Sequence, residues 1–388
     1  MKRFYFILLT ALITAGCGTN NMRVVSIDRT IDSLRSAFAP DPRTAVFSIT
    51  AREEGKKIIL SGETDNLNAK EAVFAGISPL TSKHLVDSVV VLPDPSLGGK
   101  IYGIVDVSVG NVRATPKYQA ELVNQVLLGH IVRVLKKSHG WYYIKSEDNY
   151  LGWIEPGNIV LVDSGSLSSY TETPKLIVTS VFSSMSTLPG NSGNTVSDLV
   201  MADLLKPVGK SGPAFEVQLP DGRVGYVPSS SVQDLEKYYA AHKPTPEGIE
   251  SVAKEFLGFP YLWGGTSAKG VDCSGFTKTV FRMNGIRLPR DASQQVNTGE
   301  SIDPGTDFQN LRKGDLLFFG QKAADGKPEK IVHVAIYLGN GYFIHSSDRV
   351  RISGLLKSDS AFDQYDLNRF VRAKRILTTQ QAPEKAND

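Results

Sequence analysis

The chain has 388 residues, too many for one hydrophobic core, and its 41% hydrophobic and 21% charged residues are typical of a folded protein with several domains. A net charge of +3, without a run of Lys and Arg interleaved with aromatic residues, gives no indication of nucleic-acid binding. Two cysteines are too few for a disulfide-stabilised scaffold.

An export signal is predicted at the N-terminus. Lys2 and Arg3 precede an apolar stretch, residues 4–15, that is too short to span a bilayer. Cys17 then follows small residues, in a pattern that resembles a bacterial lipoprotein signal. This resemblance implies removal of residues 1–16, a lipid anchor on Cys17 and a place in the cell envelope. An ordinary secretory signal is the alternative, and in both cases the protein leaves the cytoplasm.

A small α+β module is predicted over residues 17–100. A tether at residues 18–26 leads into a helix at residues 28–38, where apolar residues recur with helical spacing. Strands are predicted at residues 45–50, 57–61 and 86–92, with a helix at residues 68–74 before the last strand. Nothing in this module indicates chemistry.

Two small β-barrels are predicted next, over residues 101–165 and 166–240. Short apolar runs separated by Gly and Asp turns are typical of such barrels. Both modules close on similar segments, Gly152-Trp153-Ile154 and Gly225-Tyr226-Val227. Both resemble bacterial SH3 domains, the first more closely than the second.

The last domain is predicted over residues 247–377, after a Pro-containing linker at residues 242–248. It begins with a helix at residues 249–257, and a second helix follows Cys273 and ends at Gly285. Strands are predicted at residues 315–319, 333–338, 342–345 and 369–375. The polar tail, residues 378–388, is predicted to be disordered.

Cys273 is the first candidate for chemistry. If Cys17 is lipidated, Cys273 has no partner for a disulfide, and a reactive thiol is the leading explanation. A position at a helix N-terminus is expected to stabilise the thiolate and to lower the thiol pKa. The alternative is a buried cysteine that acts only as a small apolar side chain.

Two histidines can supply the base that a cysteine nucleophile needs. His333 opens one predicted strand and His345 ends the next, and the turn Gly339-Asn340-Gly341 between them predicts a hairpin. Hairpin pairing brings both imidazoles to the same end of the strands. One can accept the thiol proton while the other holds its tautomer, and the spacing leaves their order open. A Cys/His metal site is the alternative, but no Cys-x-x-Cys pair supports it, so we predict neither a metal nor a cofactor.

Five segments, in order along the last domain, resemble the NlpC/P60 family of papain-like cysteine peptidases, which cleave peptide stems of bacterial cell walls. They are Tyr261-Leu262-Trp263-Gly264-Gly265, Asp272-Cys273-Ser274-Gly275-Phe276, Leu288-Pro289-Arg290, Lys313-Gly314-Asp315-Leu316 and His333-Val334-Ala335-Ile336-Tyr337. The resemblance implies that Cys273 is the nucleophile, His333 the proton acceptor and His345 the third, orienting residue. The expected fold class is α+β, with a papain-like NlpC/P60 domain after two SH3-like β-barrels and a small N-terminal α+β module.

This architecture resembles one group in the family, the γ-D-glutamyl-L-diamino acid endopeptidases. The resemblance implies cleavage between γ-D-Glu and meso-diaminopimelate or L-lysine in wall peptides with a free N-terminal L-Ala. It also implies that the first SH3-like module helps to hold the free amine. The substrate-binding candidates are Glu121, Tyr150, Trp263, Asp272, Ser274, Asp291 and Ala292.

Three alternatives stay open at this level. An endopeptidase on polymeric peptidoglycan would not need a free amine. A wall-binding protein would use its SH3-like modules while its last domain is inert. An acyltransferase could use the same Cys and His residues.

Overall fold

The computed structural model describes residues 18–190, 192–324, 326–358 and 360–378, with side chains described from residue 26 onward. The predicted signal, Cys17 and residues 379–388 of the predicted tail lie outside this part of the chain. Contacts divide the chain into two compact units at the junction between Asp94 and Pro95. Within the described ranges, no helix is both long and apolar enough to cross a membrane.

The first unit is a three-stranded sheet with two helices. In chain order, its elements are α1 (Gly18–Phe38), β1 (Thr50–Glu54), β2 (Lys57–Thr64), α2 (Leu67–Ile77) and β3 (His84–Val91). The sheet order is β1-β2-β3, antiparallel and then parallel. Helix α2 provides the crossover that two parallel strands require. The helices and the sheet bury Ile31, Leu60 and Val73 between them.

Two predictions for this unit are wrong. The predicted tether at residues 18–26 is helical, because α1 begins at Gly18. The first strand occupies Thr50–Glu54 and not residues 45–50. A tight turn at Gly55, with φ of +57°, directly follows Glu54, and β1 is an edge strand whose outer side chains can stay charged in solvent.

The second unit begins with a seven-stranded sheet, here called the first sheet, in the order β10-β4-β7-β8-β9-β5-β6. Its strands are β4 (Tyr102–Val105), β5 (Val109–Arg113), β6 (Leu122–Leu127), β7 (Ile131–Ser138), β8 (Trp141–Lys145), β9 (Leu151–Ile154) and β10 (Ile159–Val162). Val112, Ile144 and Ile154 are fully buried in its core. Buried residues alternate with half-buried or exposed ones along part of β7 and β8, as is usual for strands with one face toward a core.

Helix α3 (Ser164–Glu172) connects this sheet to another seven-stranded sheet, here called the second sheet, in the order β13-β12-β16-β15-β14-β11-β17. Its strands are β11 (Leu176–Val178), β12 (Phe182–Leu188), β13 (Ser192–Val200), β14 (Leu204–Ser211), β15 (Ala214–Gln218), β16 (Val224–Pro228) and β17 (Val232–Asp234). The two sheets are joined by the fully buried Asp203, which accepts the backbone N–H of Leu128 at 3.2 Å and that of Val200 at 2.8 Å.

The rest of the unit packs helices against a six-stranded antiparallel sheet, here called the C-terminal sheet, in the order β20-β25-β21-β22-β23-β24. The elements are α4 (Leu235–Ala241), α5 (Pro246–Glu255), β18 (Thr266–Ser267), β19 (Gly270–Val271), α6 (Cys273–Met283), α7 (Ala292–Gln295), β20 (Glu300–Ile302), β21 (Leu316–Gln321), β22 (Lys330–Gly339), β23 (Tyr342–Ser347), β24 (Arg349–Gly354), α8 (Gln364–Asn368) and β25 (Phe370–Arg375). Phe276 and Val280 of α6 are fully buried in one cluster with Phe318 and Val334 of the sheet.

The four strands predicted for this region are confirmed as β21, β22, β23 and β25. The prediction missed β24 and α8, which lie between the last two of them. The predicted helix at residues 249–257 begins earlier, at Pro246 within the predicted linker, because Thr245 caps it and a proline fits its first turn.

Candidate active site

Cys273 is the first residue of α6, and its neighbours in sequence explain why the helix begins there. The Asp272 Oδ1 atom accepts the Gly275 N–H at 2.7 Å, which is the N-cap hydrogen bond, and its Oδ2 atom accepts the Gly264 N–H at 3.0 Å. Gly275 has no room for a side chain, since a Cβ there would lie 1.9 Å from the Gly265 carbonyl oxygen. The segment Asp-Cys-Ser-Gly-Phe thus fixes the thiol at a helix start.

Arg290 lies beneath this helix start and is almost fully buried. Its guanidinium donates to both carboxylate oxygens of Asp272, at 2.5 and 3.1 Å, and to Ser274 Oγ at 3.0 Å. Burial alone would lower the pKa of Arg290, but the Asp272 charge and hydrogen bonds raise it. The predicted site residues Asp272 and Ser274 are therefore held together by an arginine to which the sequence assigned no role. The sequence feature that could have drawn attention to Arg290 was its place in the Leu-Pro-Arg segment.

The thiol is not poised as a thiolate. Burial first and the charge of Asp272 second raise the pKa of Cys273 to about 12. Hydrogen bonds from the Val334 and Ser274 backbone N–H groups and the Arg290 charge oppose this rise without cancelling it. The expectation of a lowered thiol pKa at the helix N-terminus is wrong for the free protein. If Cys273 acts as a nucleophile, its sulfur must lose its proton to a nearby base as it attacks.

The two histidines form a hydrogen-bonded pair next to this thiol. Tyr337 of β22 pairs with Phe343 of β23, and the hairpin brings His333 Nε2 to 2.9 Å from His345 Nδ1. Val334, the residue after His333, offers its N–H to the Cys273 sulfur. The two imidazoles therefore meet at the same end of the hairpin, as its turn predicts, and the Val334 contact places them near the cysteine.

Both imidazoles are neutral. Burial lowers the pKa of His333 well below its usual range and lowers the pKa of His345 to about 3. The rings of Phe319 and Phe343 flank the pair, with centroids 5.7 Å from that of His333 and 5.0 Å from that of His345, respectively. A neutral imidazole can accept a proton, so burial keeps the candidate base in the form that it needs.

A third polar side chain, Asp366, completes a group that could hold a metal ion, since its carboxylate and the two imidazoles lie within 4.8 Å of one another. Its Oδ2 atom is 3.5 Å from His345 Nδ1, while Arg369 binds its Oδ1 atom at 2.7 and 2.8 Å. The positive charges of Arg351 and Arg369 lower the pKa of His345 and would repel a cation in the same way. We therefore interpret the group as a hydrogen-bonded network and not as a metal centre.

Four of the predicted substrate-binding residues form two hydrogen-bonded pairs, which connect the first sheet to the loops around α6. The Trp263 indole donates to Glu121 Oε1 at 2.7 Å, and the Tyr150 hydroxyl donates to Asp291 Oδ2 at 3.0 Å. Trp263 is 61% exposed, whereas Tyr150 is only 7% exposed. One of the two contacts between the first sheet and these loops is therefore open to solvent, and the other is buried.

Ala292, the last of the predicted residues, is buried at the start of α7. Its methyl group packs in the large core cluster of this unit and offers no hydroxyl. Any polar contact at this position would come from the backbone.

Tyr261 is a further residue near the thiol whose side chain was not singled out. Burial raises the pKa of its phenol, and the charge of Asp272 and that of a Cys273 thiolate, which forms only at high pH, contribute to the rise. Its side chain therefore lies close to the helix start. The signal was present in the sequence, because Tyr261 opens the aromatic and glycine-rich loop before Cys273.

The opposite side of α6 is fastened to the first sheet by contacts that the sequence did not reveal. Lys278 pairs with Asp148, and both side chains are buried. Arg282 binds Glu147 Oε2 at 2.8 Å, and Gln125 Oε1 accepts the Thr266 N–H at 2.9 Å. The first sheet therefore supports helix α6 directly.

Comparison with known proteins gives matches to both parts of this arrangement. Residues 258–374 match the NlpC/P60 family, and residues 108–160 match the bacterial SH3 domain. The chain is 30% identical over 241 residues to a gamma-D-glutamyl-L-lysine dipeptidyl-peptidase of Bacillus cereus, with 58% of this chain and 67% of the relative covered. It is 28% identical over 250 residues to dipeptidyl-peptidase 6 of Lysinibacillus sphaericus, with 63% of this chain and 87% of the relative covered.

Among solved structures, the chain is similar to the crystal structure of an NlpC/P60 family protein from Bacillus cereus. The TM-score is 0.62 at 24% identity, with 71% of this chain and all of that chain covered. At this identity the likeness concerns the fold.

Proposed function

This chain belongs to the NlpC/P60 family of cysteine peptidases, and we propose that it hydrolyses the bond between γ-D-Glu and a diamino acid in peptidoglycan stem peptides with a free N-terminal L-Ala. The chain combines an NlpC/P60 fold with an SH3-like domain. The observation that carries the proposal is the buried Cys273 thiol at a helix start beside the neutral His333–His345 pair. The name of the Bacillus cereus relative, gamma-D-glutamyl-L-lysine dipeptidyl-peptidase, supports the choice of the scissile bond.

In the proposed mechanism, Cys273 attacks the γ-carbonyl carbon of D-Glu while its proton passes to His333. The Cys273 backbone N–H, at the start of α6, is proposed to stabilise the developing oxyanion. His333 then gives the proton to the leaving amine of the diamino acid, which leaves a thioester on Cys273. Water, deprotonated by His333, hydrolyses the thioester and restores the thiol. His345 keeps His333 oriented throughout.

The free amine is proposed to be read at the boundary with the first sheet. A buried ammonium needs a carboxylate and further hydrogen-bond acceptors, and Glu121 and Tyr150 offer a carboxylate and a phenol oxygen. Trp263 and Asp291, which contact these two residues, would line the same cleft. Asp272, Ser274 and the backbone of Ala292 would complete the wall next to Cys273.

The proposal extends to location and architecture. A lipid on Cys17, after removal of residues 1–16, would anchor the protein in the cell envelope, close to its peptidoglycan-derived substrate. The second sheet is proposed to be another SH3-like domain, since its strand pattern parallels that of the first sheet. The first unit, with its three-stranded sheet, is proposed to be a separate α+β module.

The test compares L-Ala-γ-D-Glu-L-Lys with the same tripeptide acetylated on the alanine amine, with products identified by mass spectrometry. We expect the chain to release lysine from the free peptide and the acetylated peptide to be cleaved at least about 100-fold more slowly, because a buried amine site must lose its ion pair. Cys273→Ala should abolish cleavage. Full activity of that variant would exclude the mechanism, and equal cleavage of both peptides would favour an endopeptidase without an amine requirement.

A further inference from the structure

The hydrogen-bonded chain that begins at His333 does not stop at His345. Ser353, on the neighbouring strand β24, places its Oγ atom 3.2 Å from His345 Nε2. The same hydroxyl lies 3.4 Å from Asp363 Oδ2. Ser353 is 4% exposed and His345 is fully buried, so water does not compete freely for these groups. His345 is therefore held on both ring nitrogens, by His333 on one side and by Ser353 on the other.

Asp363 sets the direction of these hydrogen bonds. Its Oδ1 atom accepts the Asp366 N–H at 3.0 Å as the N-cap of α8, and its Oδ2 atom accepts from Arg351 at 3.4 Å. A carboxylate has no proton to give, so Ser353 must donate its only hydroxyl proton to Asp363. The Ser353 oxygen is then left as an acceptor, and His345 must donate from Nε2.

The direction passes on to the base. A neutral imidazole carries one N–H, so protonation at Nε2 leaves His345 Nδ1 as an acceptor. His333 then donates from Nε2, and its Nδ1 atom is free of hydrogen and able to take the thiol proton. Asp366 also faces His345 Nδ1, at 3.5 Å, but the 2.9 Å contact with His333 is shorter and takes this nitrogen.

We propose that Ser353 and Asp363 are positioning residues that fix which nitrogen of His345, and through it of His333, carries the proton. This inference rests on the proposed function, because it assigns the tautomer that the base needs. The pair touches neither Cys273 nor the proposed substrate. Its effect is to hold the resting enzyme in the one tautomer state in which His333 can act.

The decisive variant is Asp363→Asn. The N-cap hydrogen bond keeps the amide oxygen of the new side chain toward the Asp366 N–H, since Asn and Asp cap helices equally well. The amide NH₂ then takes the place of Oδ2, faces Ser353 and donates to it, while Arg351 loses this acceptor and turns its Nη2 atom to solvent, to which its side chain is 40% exposed. Ser353 must turn its proton to His345 Nε2, which moves the His345 proton to Nδ1 and forces His333 to carry its own proton on Nδ1. The base is then blocked.

The experiment measures the tautomers directly by long-range ¹H–¹⁵N correlation on ¹⁵N-histidine-labelled full-length protein, without substrate. We expect His333 and His345 to carry hydrogen on Nε2 in the original protein and on Nδ1 in Asp363→Asn. Asp163→Asn is the matched control, because Asp163 is the N-cap of α3 and no hydrogen bond connects it to the histidines. It should leave both tautomers unchanged.

Kinetics on the free tripeptide give the second readout. Asp363→Asn should lower kcat by about 100-fold or more with KM within about twofold, below the 10⁴-fold loss known for an Asp→Asn change in direct contact with a catalytic histidine. Ser353→Ala should mix the tautomers and lower kcat by about 10-fold, while Ser353→Thr, which keeps the hydroxyl, should restore both readouts.

Hydrogen on Nδ1 of His345 in the original protein, or unchanged tautomers in Asp363→Asn, would overturn the proposal. A rise in KM with unchanged kcat would also overturn it, because that result is a loss of substrate binding. If the original protein cleaves no stem peptide, the proposed function fails, while the tautomer measurement still decides this inference.

Discussion

At Cys273, two effects on thiol acidity act in opposite directions. A helix N-terminus favours an anion by about 0.3 to 1 kcal/mol, which is less than one pKa unit. Burial and the neighbouring Asp272 charge raise the pKa of Cys273 to about 12, and they prevail. In the proposed mechanism, the position at the helix start therefore serves the oxyanion and the alignment of the thiol more than the resting ionisation of the thiol.

This balance predicts how the thiol reacts with iodoacetamide. We expect alkylation of Cys273 to be slower at pH 7 than alkylation of free cysteine and to rise with a midpoint above pH 9, because the thiolate is the reactive form. Asp272→Asn should shift the midpoint to lower pH, since it removes a charge that raises the thiol pKa while an Asn keeps the helix cap. The rate is measured by mass spectrometry across pH 6–11. A midpoint near pH 7 in the original protein would contradict the prediction.

At the scale of elements, helix α6 makes two separate contributions to the structure. One end presents Cys273, and the opposite side inserts Lys278 against Asp148 of the first sheet. Burial alone would raise the pKa of Asp148, but the Lys278 charge and hydrogen bond lower it to about 2. A carboxyl whose pKa is lowered in the folded protein stabilises the fold at pH values above its pKa in the unfolded chain, which is near 3.8. This contribution is lost as the pH falls toward 2.

The partner of Asp148 limits the net gain from this ion pair. Burial lowers the pKa of Lys278, because the ammonium loses its hydration. The Asp148 charge offsets only part of this lowering. The pair is therefore expected to contribute less than the shift of Asp148 alone suggests.

A double-mutant cycle tests this ion pair. Asp148→Asn and Lys278→Met are each expected to destabilise the protein by about 3–5 kcal/mol, because each leaves one buried charge without its partner. The double variant should lose clearly less than the sum of the two. The control is Glu250→Gln with Lys254→Met, an ion pair on α5 with an exposed Lys254 and a half-buried Glu250 that also binds Lys313, for which we expect a coupling of less than about 1 kcal/mol. Stability is measured by urea unfolding, and additive effects at Asp148 and Lys278 would contradict the prediction.

At the scale of the whole molecule, the proposed substrate cleft depends on residues far apart in sequence. The contact between Tyr150 and Asp291 spans 141 positions, and that between Glu121 and Trp263 spans 142. Both join the first sheet to the loops around Cys273. An SH3-like domain in this position can act as part of the site and not only as a wall-binding module.

Tyr150→Phe tests whether this boundary reads the free amine. The change removes one hydroxyl and keeps the ring, so we expect stability to change by about 1 kcal/mol. The kcat/KM for the free tripeptide should fall by about 10- to 100-fold, while the slow cleavage of the acetylated peptide should stay the same. Tyr226→Phe, in the second sheet, is the control and should affect neither peptide. An equal loss on both peptides would show that Tyr150 does not recognise the amine.

The sequence alone determined the features that depend on neighbouring residues. An Asp cap, a small residue at Gly275 and helical spacing place Cys273 at a helix start, and the Gly339-Asn340-Gly341 turn brings His333 and His345 together. These predictions hold because caps, turns and strand alternation act over a few residues. The short strand β24 and helix α8, which carry Ser353 and Asp366, lack such a strong local pattern and were missed.

Only the tertiary structure decided the acidity of Cys273 and the support beneath it. The pKa of a thiol depends on burial and on charges that other segments bring close, and here burial reversed the prediction made from the helix N-terminus. The Arg290 clamp, the Lys278–Asp148 pair and the contacts of Tyr150 and Glu121 likewise join residues that only packing makes neighbours. Local sequence therefore specifies the proposed nucleophile and its proposed base, while long-range packing sets their ionisation and builds the proposed cleft around them.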